Sequence, residues 1–151
     1  LDKFIGDAIM AVFGVPKTME NPAAAAIRTA WRLQRALDEH NDVRHSRGLP
    51  PLKMGVGVHF GGALAGVIGA EDRQQYTVIG DVVNTASRLE SLTKQEGVPV
   101  IVSAAAVDAA RAAGGRADQY PLVDRGVIPI RGRAEGMPIL AFANPCSKQW
   151  S

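Results

Sequence analysis

One long helix-forming stretch constrains the fold of this chain more than any other feature. Asn21 followed by Pro22 predicts where the helix begins, because asparagine caps a first turn well and proline fits the first helical position. Gly48 and the two prolines after Leu49 predict that the helix ends near Arg47. Apolar residues at helical spacing predict that one face is buried; they are Ala26, Ala30, Leu33 and Leu37.

Short strand-forming runs lie on both sides of this helix. They are predicted over residues 1–5, 8–13, 53–60, 63–68, 76–79 and 98–102, with three more strand-like runs within residues 119–143. We expect Gly61 and Gly62 to turn the run of residues 53–60 back onto that of residues 63–68. Two further helices are predicted, one over residues 81–96 that Asp81 can cap, and one that Ser103 caps and Gly114 ends. Because helices and strands interleave without a regular βαβ repeat, we expect an α+β fold with a mixed or antiparallel sheet.

The composition fits a single globular domain. The chain has 151 residues, of which 46% are hydrophobic and 21% charged, and these values exclude a disordered tract or a disulfide scaffold. The net charge of +2 does not by itself indicate nucleic-acid binding. Cys146 is the only cysteine, so no disulfide can form within the chain. Since there is no signal peptide and no apolar run of about 20 residues, we expect a cytoplasmic domain, in a protein that could itself be tethered to a membrane.

The first segment with chemical interest is the turn between the first two predicted strands. Asp7 follows Gly6 there, so we expect its carboxylate to project beyond the sheet. An exposed carboxylate suits a hard divalent cation such as Mg²⁺, which prefers oxygen ligands and phosphate partners. An ordinary turn aspartate beside a glycine explains the same pattern, and the spacing alone leaves both interpretations open.

The second segment of interest is the predicted helix that follows Gly80. Asn84 and Arg88 are four residues apart and therefore share one face of that helix. An amide and a guanidinium one turn apart can hydrogen-bond a ribose and a phosphate. A solvated helix face without a ligand fits the same spacing.

Other motifs carry less information about function. Gly55, Gly57 and Gly61 have the wrong spacing for the dinucleotide-binding fingerprint and no helix follows them, so we interpret them as strand and turn residues. His59 stands alone in its strand, and a packed structural role explains it better than catalysis. The sequence has no cluster of His and Cys with zinc spacing and no Gly-x-Ser-x-Gly elbow for acyl transfer.

Four stretches in series carry a resemblance to a known family. They are residues 3–14, 55–62, 66–69 and 76–90. In order and spacing they resemble the class III nucleotidyl cyclases, the catalytic domains of adenylyl and guanylyl cyclases. The resemblance covers residues 1–143 and leaves residues 144–151 as a C-terminal tail. It implies a ferredoxin-like α+β core, two copies of which pack head to tail as a homodimer with the active sites in the cleft between them.

The resemblance also implies a reaction and residues that carry it. In this family the 3′-hydroxyl of ATP attacks the α-phosphorus, giving cyclic AMP and pyrophosphate. Two Mg²⁺ or Mn²⁺ ions are held by two aspartates of one protomer, and Asp7 matches the second of these aspartates. Asn84 and Arg88 match a pair that the opposite protomer supplies, one residue orienting the ribose and the other stabilising the phosphate charge.

Three further positions match residues that bind the nucleotide. Lys3 matches the lysine that contacts the adenine ring, and Arg131 matches a basic residue that holds the terminal phosphates. Because guanylyl cyclases have a glutamate where Lys3 stands, the resemblance favours ATP over GTP. Thr77 departs from the commonest pattern, in which the partner of that lysine is an aspartate. This departure resembles the subgroup called class IIIb, which includes bicarbonate-responsive cyclases, and it makes bicarbonate a candidate effector.

A second departure concerns the start of the domain. The family begins with a strand that carries the first metal aspartate, followed by two helices that cover the phosphates, and these elements would precede Leu1. We therefore expect the parent protein to be an adenylyl cyclase and these residues alone to be inactive. A non-catalytic module that binds nucleotide or dimerises is the alternative. A diguanylate cyclase would need a Gly-Gly-Asp/Glu-Glu-Phe hairpin, whereas residues 5–8 read Ile, Gly, Asp and Ala.

Overall fold

The computed structural model describes residues 3–68, 75–130 and 135–143. The helices within these ranges are α1 (Pro22–Ser46), α2 (Asp81–Glu96) and α3 (Ala104–Ala112). The strands are β1 (Lys3–Ile5), β2 (Ala8–Met10), β3 (Val56–Val58), β4 (Leu64–Ile68), β5 (Gln75–Ile79), β6 (Val100–Ser103), β7 (Leu122–Ile128) and β8 (Met137–Phe142). A short 3-10 helix (Ala117–Gln119) precedes β7. Among the described residues, no helix combines the length and the hydropathy that a membrane-spanning segment needs.

Four strands form a mixed sheet in the order β3-β6-β8-β7. β3 runs parallel to β6, and β8 runs antiparallel to both β6 and β7. In the described ranges, β1 with β2 and β4 with β5 form two separate antiparallel hairpins. This arrangement confirms the expected α+β fold with a mixed sheet.

Two details of the predicted sheet are wrong. The runs of residues 53–60 and 63–68 do not pair with each other, because β3 lies beside β6 and β4 pairs with β5 in continuous register from Leu64 opposite Ile79 to Ile68 opposite Gln75. The described part of residues 119–143 contains two strands rather than three. A bulge between Asp124 and Val127 shifts the register of β7 against β8, and β7 continues through the bulge as one long strand where the sequence pattern predicts separate runs.

The central strand β6 explains how the layers pack. All four of its residues are buried, and successive side chains point to opposite faces of the sheet. Val100 and Val102 join a cluster with α1 and α3, whereas Ile101 joins a second cluster around Leu89 of α2. Helices therefore cover both faces of the sheet at this strand, with α2 on the face opposite α1 and α3.

The buried face of α1 differs from the predicted stripe. Leu33 is 45% exposed, while Gln34 and Asn41 are buried because their amides bond the backbone of the segment that leads into β3. Gln34 Nε2 donates to the carbonyl of Met54, and Asn41 both donates to the carbonyl of Leu52 and accepts from its N–H. A pattern of apolar residues does not reveal this face, because hydrogen-bonded amide side chains occupy some of its buried positions. The residues buried on α1 are Ala23, Ala25, Ile27, Ala30, Gln34 and Asn41.

Helix starts follow the predicted caps in two of three cases. The Asn21 side chain accepts a hydrogen bond from Ala24 N–H at the start of α1, and the Ser103 side chain accepts one from Ala106 N–H at the start of α3. The prediction that Asp81 caps α2 is wrong. Gly80 takes the cap position without a side-chain bond, and Asp81 is the first helical residue, where a carboxylate still interacts favourably with the helix dipole.

Candidate functional site

The helix α2 carries two of the predicted site residues. It buries Thr85, Leu89 and Thr93, which lie on one face at a helical repeat of four. Asn84 is exposed and Arg88 is half-buried on a different face. One turn of helix separates their Cα atoms by about 6 Å along the axis. The structure thus brings this amide and guanidinium together on one accessible surface, as their spacing predicted.

The start of α2 has an internal support that sequence reasoning missed. Thr85 is fully buried, and its Oγ1 donates to Oδ2 of Asp81 at 3.4 Å. This contact lies within the first turn and a half of α2, on the turn that carries Asn84. A threonine on the face of the helix that packs on the sheet was the available indication, because a buried hydroxyl needs a partner.

Asp7 lies at the tip of the β1–β2 hairpin. Ile5 pairs with Ala8, so only Gly6 and Asp7 form the turn. Gly6 has φ +62°, a left-handed value that a two-residue hairpin turn requires and that glycine adopts without strain. Asp7 is exposed, as expected for a carboxylate that projects beyond the strands.

The acidic and other ligating side chains that the structure describes do not form a complete metal site. Among the residues that the structure describes, no group of three or more His, Cys, Asp or Glu side chains could hold a metal ion. Asp7 fits as one oxygen ligand of a hard cation, and the other ligands would have to come from outside these side chains. The described residues therefore supply part of a metal site and not a complete one.

Three predicted nucleotide-binding side chains are beyond what the structure describes. The backbone of Lys3 pairs with Met10 in the first hairpin, and the backbone of Thr77 pairs with Gly66 in the second. The side chains of Lys3 and Thr77, and the whole of Arg131, lie outside the described part of the chain. Their roles in binding adenine and phosphate stay predictions.

A polar contact joins the ends of the two parallel strands. Nδ1 of His59 lies 2.8 Å from Oγ of Ser103, which is fully buried. Because Val58 pairs with Val102, His59 and Ser103 are the next residues along at the same edge of the sheet. The half-buried, hydrogen-bonded position of His59 agrees with the structural role expected from its sequence.

The second hairpin exposes large apolar side chains. Leu64 and Ile79 are cross-strand neighbours at one end of the β4–β5 pair, and they are 80% and 53% exposed. Phe60, just before this hairpin, is 43% exposed. β5 leads through Gly80 directly into α2, so this apolar surface is adjacent in the chain to the helix that carries Asn84.

Comparison with known families finds a match over almost the whole chain. Residues 3–142 match the family described as the adenylate and guanylate cyclase catalytic domain. Adenylate cyclase from Anabaena cylindrica is 42% identical over 111 residues, which cover 71% of this chain and 21% of that protein. The chain therefore spans about a fifth of the length of this curated relative.

Solved structures of both kinds of cyclase are similar to this fold. The adenylyl cyclase CyaB from P. aeruginosa aligns with a TM-score of 0.78 and 27% identity, over 97% of this chain and 72% of that chain. The guanylyl cyclase Cya2 aligns with a TM-score of 0.73 and 30% identity, over 98% of this chain and 71% of that chain. Since these similarities are close to equal, overall likeness does not separate the two nucleotide specificities.

Proposed function

The chain belongs to the family of adenylate and guanylate cyclase catalytic domains, and we propose that it is the catalytic domain of an adenylyl cyclase, which converts ATP to cyclic AMP and pyrophosphate. The observation that supports this activity most directly is the pair formed by Asn84 and Arg88, one turn apart on an accessible face of α2. The choice of ATP rests on Lys3, which stands where guanylyl cyclases have a glutamate. The many residues that the two kinds of cyclase share do not decide it.

In the proposed reaction Asn84 and Arg88 have different tasks. The Asn84 amide has both donors and an acceptor, so it can orient the ribose for in-line attack by its 3′-hydroxyl. The Arg88 guanidinium is always charged and presents a planar set of donors, which suits the charge that develops on the α-phosphate oxygens. Arg88 is half-buried, and partial removal from water strengthens such an interaction.

Asp7, Lys3, Thr77 and Arg131 complete the proposed site. Asp7 would provide carboxylate oxygens to the divalent ions; bound Mg²⁺ or Mn²⁺ supplies charge neutralisation and activation of the hydroxyl. Lys3 and Thr77 would bind the adenine edge, where a threonine hydroxyl can donate or accept. Arg131 would hold the terminal phosphates through charge-assisted hydrogen bonds.

We propose a head-to-tail homodimer as the active form. Asp7 would then act in one site together with Asn84 and Arg88 of the opposite protomer, so each of two symmetric sites would use both chains. The exposed pair of Leu64 and Ile79 on the β4–β5 hairpin supports association, because large apolar side chains of this kind are commonly buried against a partner.

The proposed activity needs more than the described side chains. With one metal-binding carboxylate, Asp7, and no metal-binding group of three in the described ranges, we propose that residues 1–151 alone are inactive and that the full-length protein is the enzyme. The alternative, a module that binds nucleotide or dimerises without turnover, is favoured by the same observation. Activity of the full-length protein separates these two functions.

The test compares the full-length protein with the 151-residue chain. Each is incubated with Mn²⁺ and either ATP or GTP, and the cyclic nucleotides are separated and quantified by chromatography. We expect cyclic AMP in excess of cyclic GMP from the full-length protein, at most trace product from the shorter chain, and none from full-length Arg88→Ala. A full-length protein that binds ATP but forms no cyclic AMP would favour the non-catalytic module.

Bicarbonate is proposed as an effector on the basis of Thr77. The full-length enzyme is assayed with sodium bicarbonate and, as the control, with sodium chloride at the same pH and ionic strength. Stimulation by bicarbonate alone is expected. Equal rates in the two salts would remove bicarbonate from the proposed partners and would leave the proposed cyclase activity intact.

A further inference from the structure

The backbone of α2 lies directly against β3 at a glycine. A Cβ atom added to Gly57 would fall well inside van der Waals distance of the carbonyl oxygen of Ala86 and the backbone nitrogen of Glu90, and 3.0 Å from the carbonyl carbon of Leu89. All three atoms belong to the helix backbone, so no side-chain rotation can relieve the overlap. Any side chain at this position therefore requires that the helix and the strand move apart.

Withdrawal of β3 from α2 is opposed by the other face of the strand, where Val56 and Val58 pack against the cluster formed with α1 and α3. Gly57 pairs with Ile101 of β6, which is fully buried in the centre of the sheet. On the helix side, Leu89 is also fully buried and anchors the same turn to the sheet. Because β6 packs against helices on both faces, the displacement of about 1 Å that an added methyl group needs falls mainly on α2.

The atoms that approach Gly57 lie on the part of α2 that carries the site. Ala86 and Glu90 are on either side of Arg88 in the chain, and Asn84 is two residues before Ala86. Backbone hydrogen bonds from each N–H to the carbonyl four residues earlier join successive turns of an α-helix, so a displacement at Ala86 and Glu90 is transmitted to both functional side chains.

We propose that Gly57 is a positioning residue for the cyclase reaction. Because glycine has no side chain, the backbone of α2 can lie directly against β3, and this distance between helix and strand determines the positions of Asn84 and Arg88. This inference rests on the proposed function. Groups that stabilise a transition state must be held within about 0.5 Å of their productive positions, and a misplacement of about 1 Å can cost a hundredfold in rate. We therefore expect Gly57→Ala to lower kcat at least about tenfold while KM for ATP changes less than about threefold.

Gly55, the residue just before β3, provides a matched control because it faces the same helix, α2. A Cβ added there would overlap the Oγ1 of Thr93, but its nearest backbone contact on α2 is the carbonyl oxygen of Glu90 at 3.3 Å. The overlap is thus with the end of a side chain, which Thr93→Ala removes. The double variant Gly55→Ala/Thr93→Ala adds a methyl group against α2 without displacing its backbone by more than a few tenths of an ångström, and its kcat should stay within about twofold of the wild type.

Mixing of variants separates a misplaced helix from a misfolded chain. In the proposed dimer, Gly57→Ala and Arg88→Ala damage the contribution of the same protomer to a site, whereas Asp7→Ala damages the other contribution. A mixture of full-length Gly57→Ala and Asp7→Ala chains should regain cyclic AMP formation, and a mixture of Gly57→Ala and Arg88→Ala chains should not. If Gly57→Ala restores activity with neither variant or with both, the positioning role is wrong.

The mixture of Asp7→Ala and Arg88→Ala chains tests the proposed function by itself. If that mixture stays inactive although heterodimers form, the shared site fails, and the position of α2 is then judged from a crystal structure of Gly57→Ala. We expect the backbone of residues 86–90 to lie farther from β3 by about 1 Å than in the wild type. An unmoved helix would overturn the inference about Gly57 whatever the activity of the protein.

Discussion

Nδ2 of Asn21 donates a hydrogen bond to the carbonyl oxygen of Ala110 at 2.7 Å, so the residue that begins α1 also binds the end of α3. The same nitrogen lies 3.3 Å from the carbonyl oxygen of Ala113, and Oδ1 accepts from Ala24 N–H. One amide therefore satisfies backbone groups at the start of one helix and at the end of another. Both ends would otherwise leave such groups without a partner inside the helix.

Asn21→Ala should reduce the free energy of unfolding by about 2 kcal/mol, from about 1 for the lost cap and about 1 for the lost contact between helices. Asn21→Ser keeps a side-chain acceptor for Ala24 N–H and loses the amide donors to Ala110 and Ala113, so its effect should be smaller. Urea unfolding measures both variants. Ser46→Ala, at the exposed opposite end of α1, is the control and should change stability by less than about 0.5 kcal/mol. Equal effects of Asn21→Ala and Asn21→Ser would show that the cap contributes nothing.

Much of what was predicted correctly depends on neighbours in the chain. The starts of α1 and α3 follow from Asn21 and Ser103 because a cap acts on the next three residues. The shared face of Asn84 and Arg88 follows from the period of the helix in the same way. The first hairpin was found because a glycine and an aspartate in a two-residue turn have few other conformations.

Features that join distant parts of the chain were missed. The parallel pairing of β3 with β6 depends on α2, which lies between them in sequence and covers their face, and no local pattern contains that information. The contact of His59 with Ser103 spans 44 residues. The need for glycine at position 57 was likewise missed, because the sequence around a glycine that a helix packs against looks the same as that of any strand that contains glycine.

The contact of His59 with Ser103 should be measurable as a coupling. Ser103 is fully buried and its hydroxyl also caps α3 by accepting from Ala106 N–H, so Ser103→Ala should cost about 1–3 kcal/mol in the free energy of unfolding. A double-mutant cycle with His59→Ala should give an interaction energy of about 0.5–1.5 kcal/mol. Strict additivity in urea unfolding would show that the two side chains do not stabilise each other.

Base selection should respond to the two residues assigned to the adenine edge. In the full-length enzyme, Lys3→Glu combined with Thr77→Cys replaces the proposed partners of adenine and should lower kcat/KM for ATP while raising the ratio of GTP to ATP turnover. The reason is that a carboxylate accepts from the guanine edge, whereas a lysine can only donate. Initial rates with each nucleotide measure the ratio, and Lys17→Glu, an exposed residue outside the proposed site, is the charge control. An unchanged rate with ATP in the double variant would contradict both assignments.

The sharing of the site between two chains predicts complementation with a definite yield. Full-length Asp7→Ala and Arg88→Ala should each be inactive, because each removes one contribution from both sites of its homodimer. Random association of equal amounts makes half of the dimers heterodimers, and each heterodimer has one site with both defects and one with neither. The mixture should therefore show about a quarter of the wild-type rate of cyclic AMP formation, with an unchanged KM at the intact site.

As a control, the ratio of the two variant chains in the mixture is varied. At a ninefold excess of either variant the heterodimer fraction falls to about 0.18, so the rate should drop to about 9% of the wild type. A rate that is independent of the ratio would point to residual activity of one variant instead of a rebuilt site. Differently tagged chains show whether heterodimers form. If they form and the mixture stays inactive, Asp7, Asn84 and Arg88 belong to a site within a single protomer, because a partner chain with the other substitution cannot complete such a site.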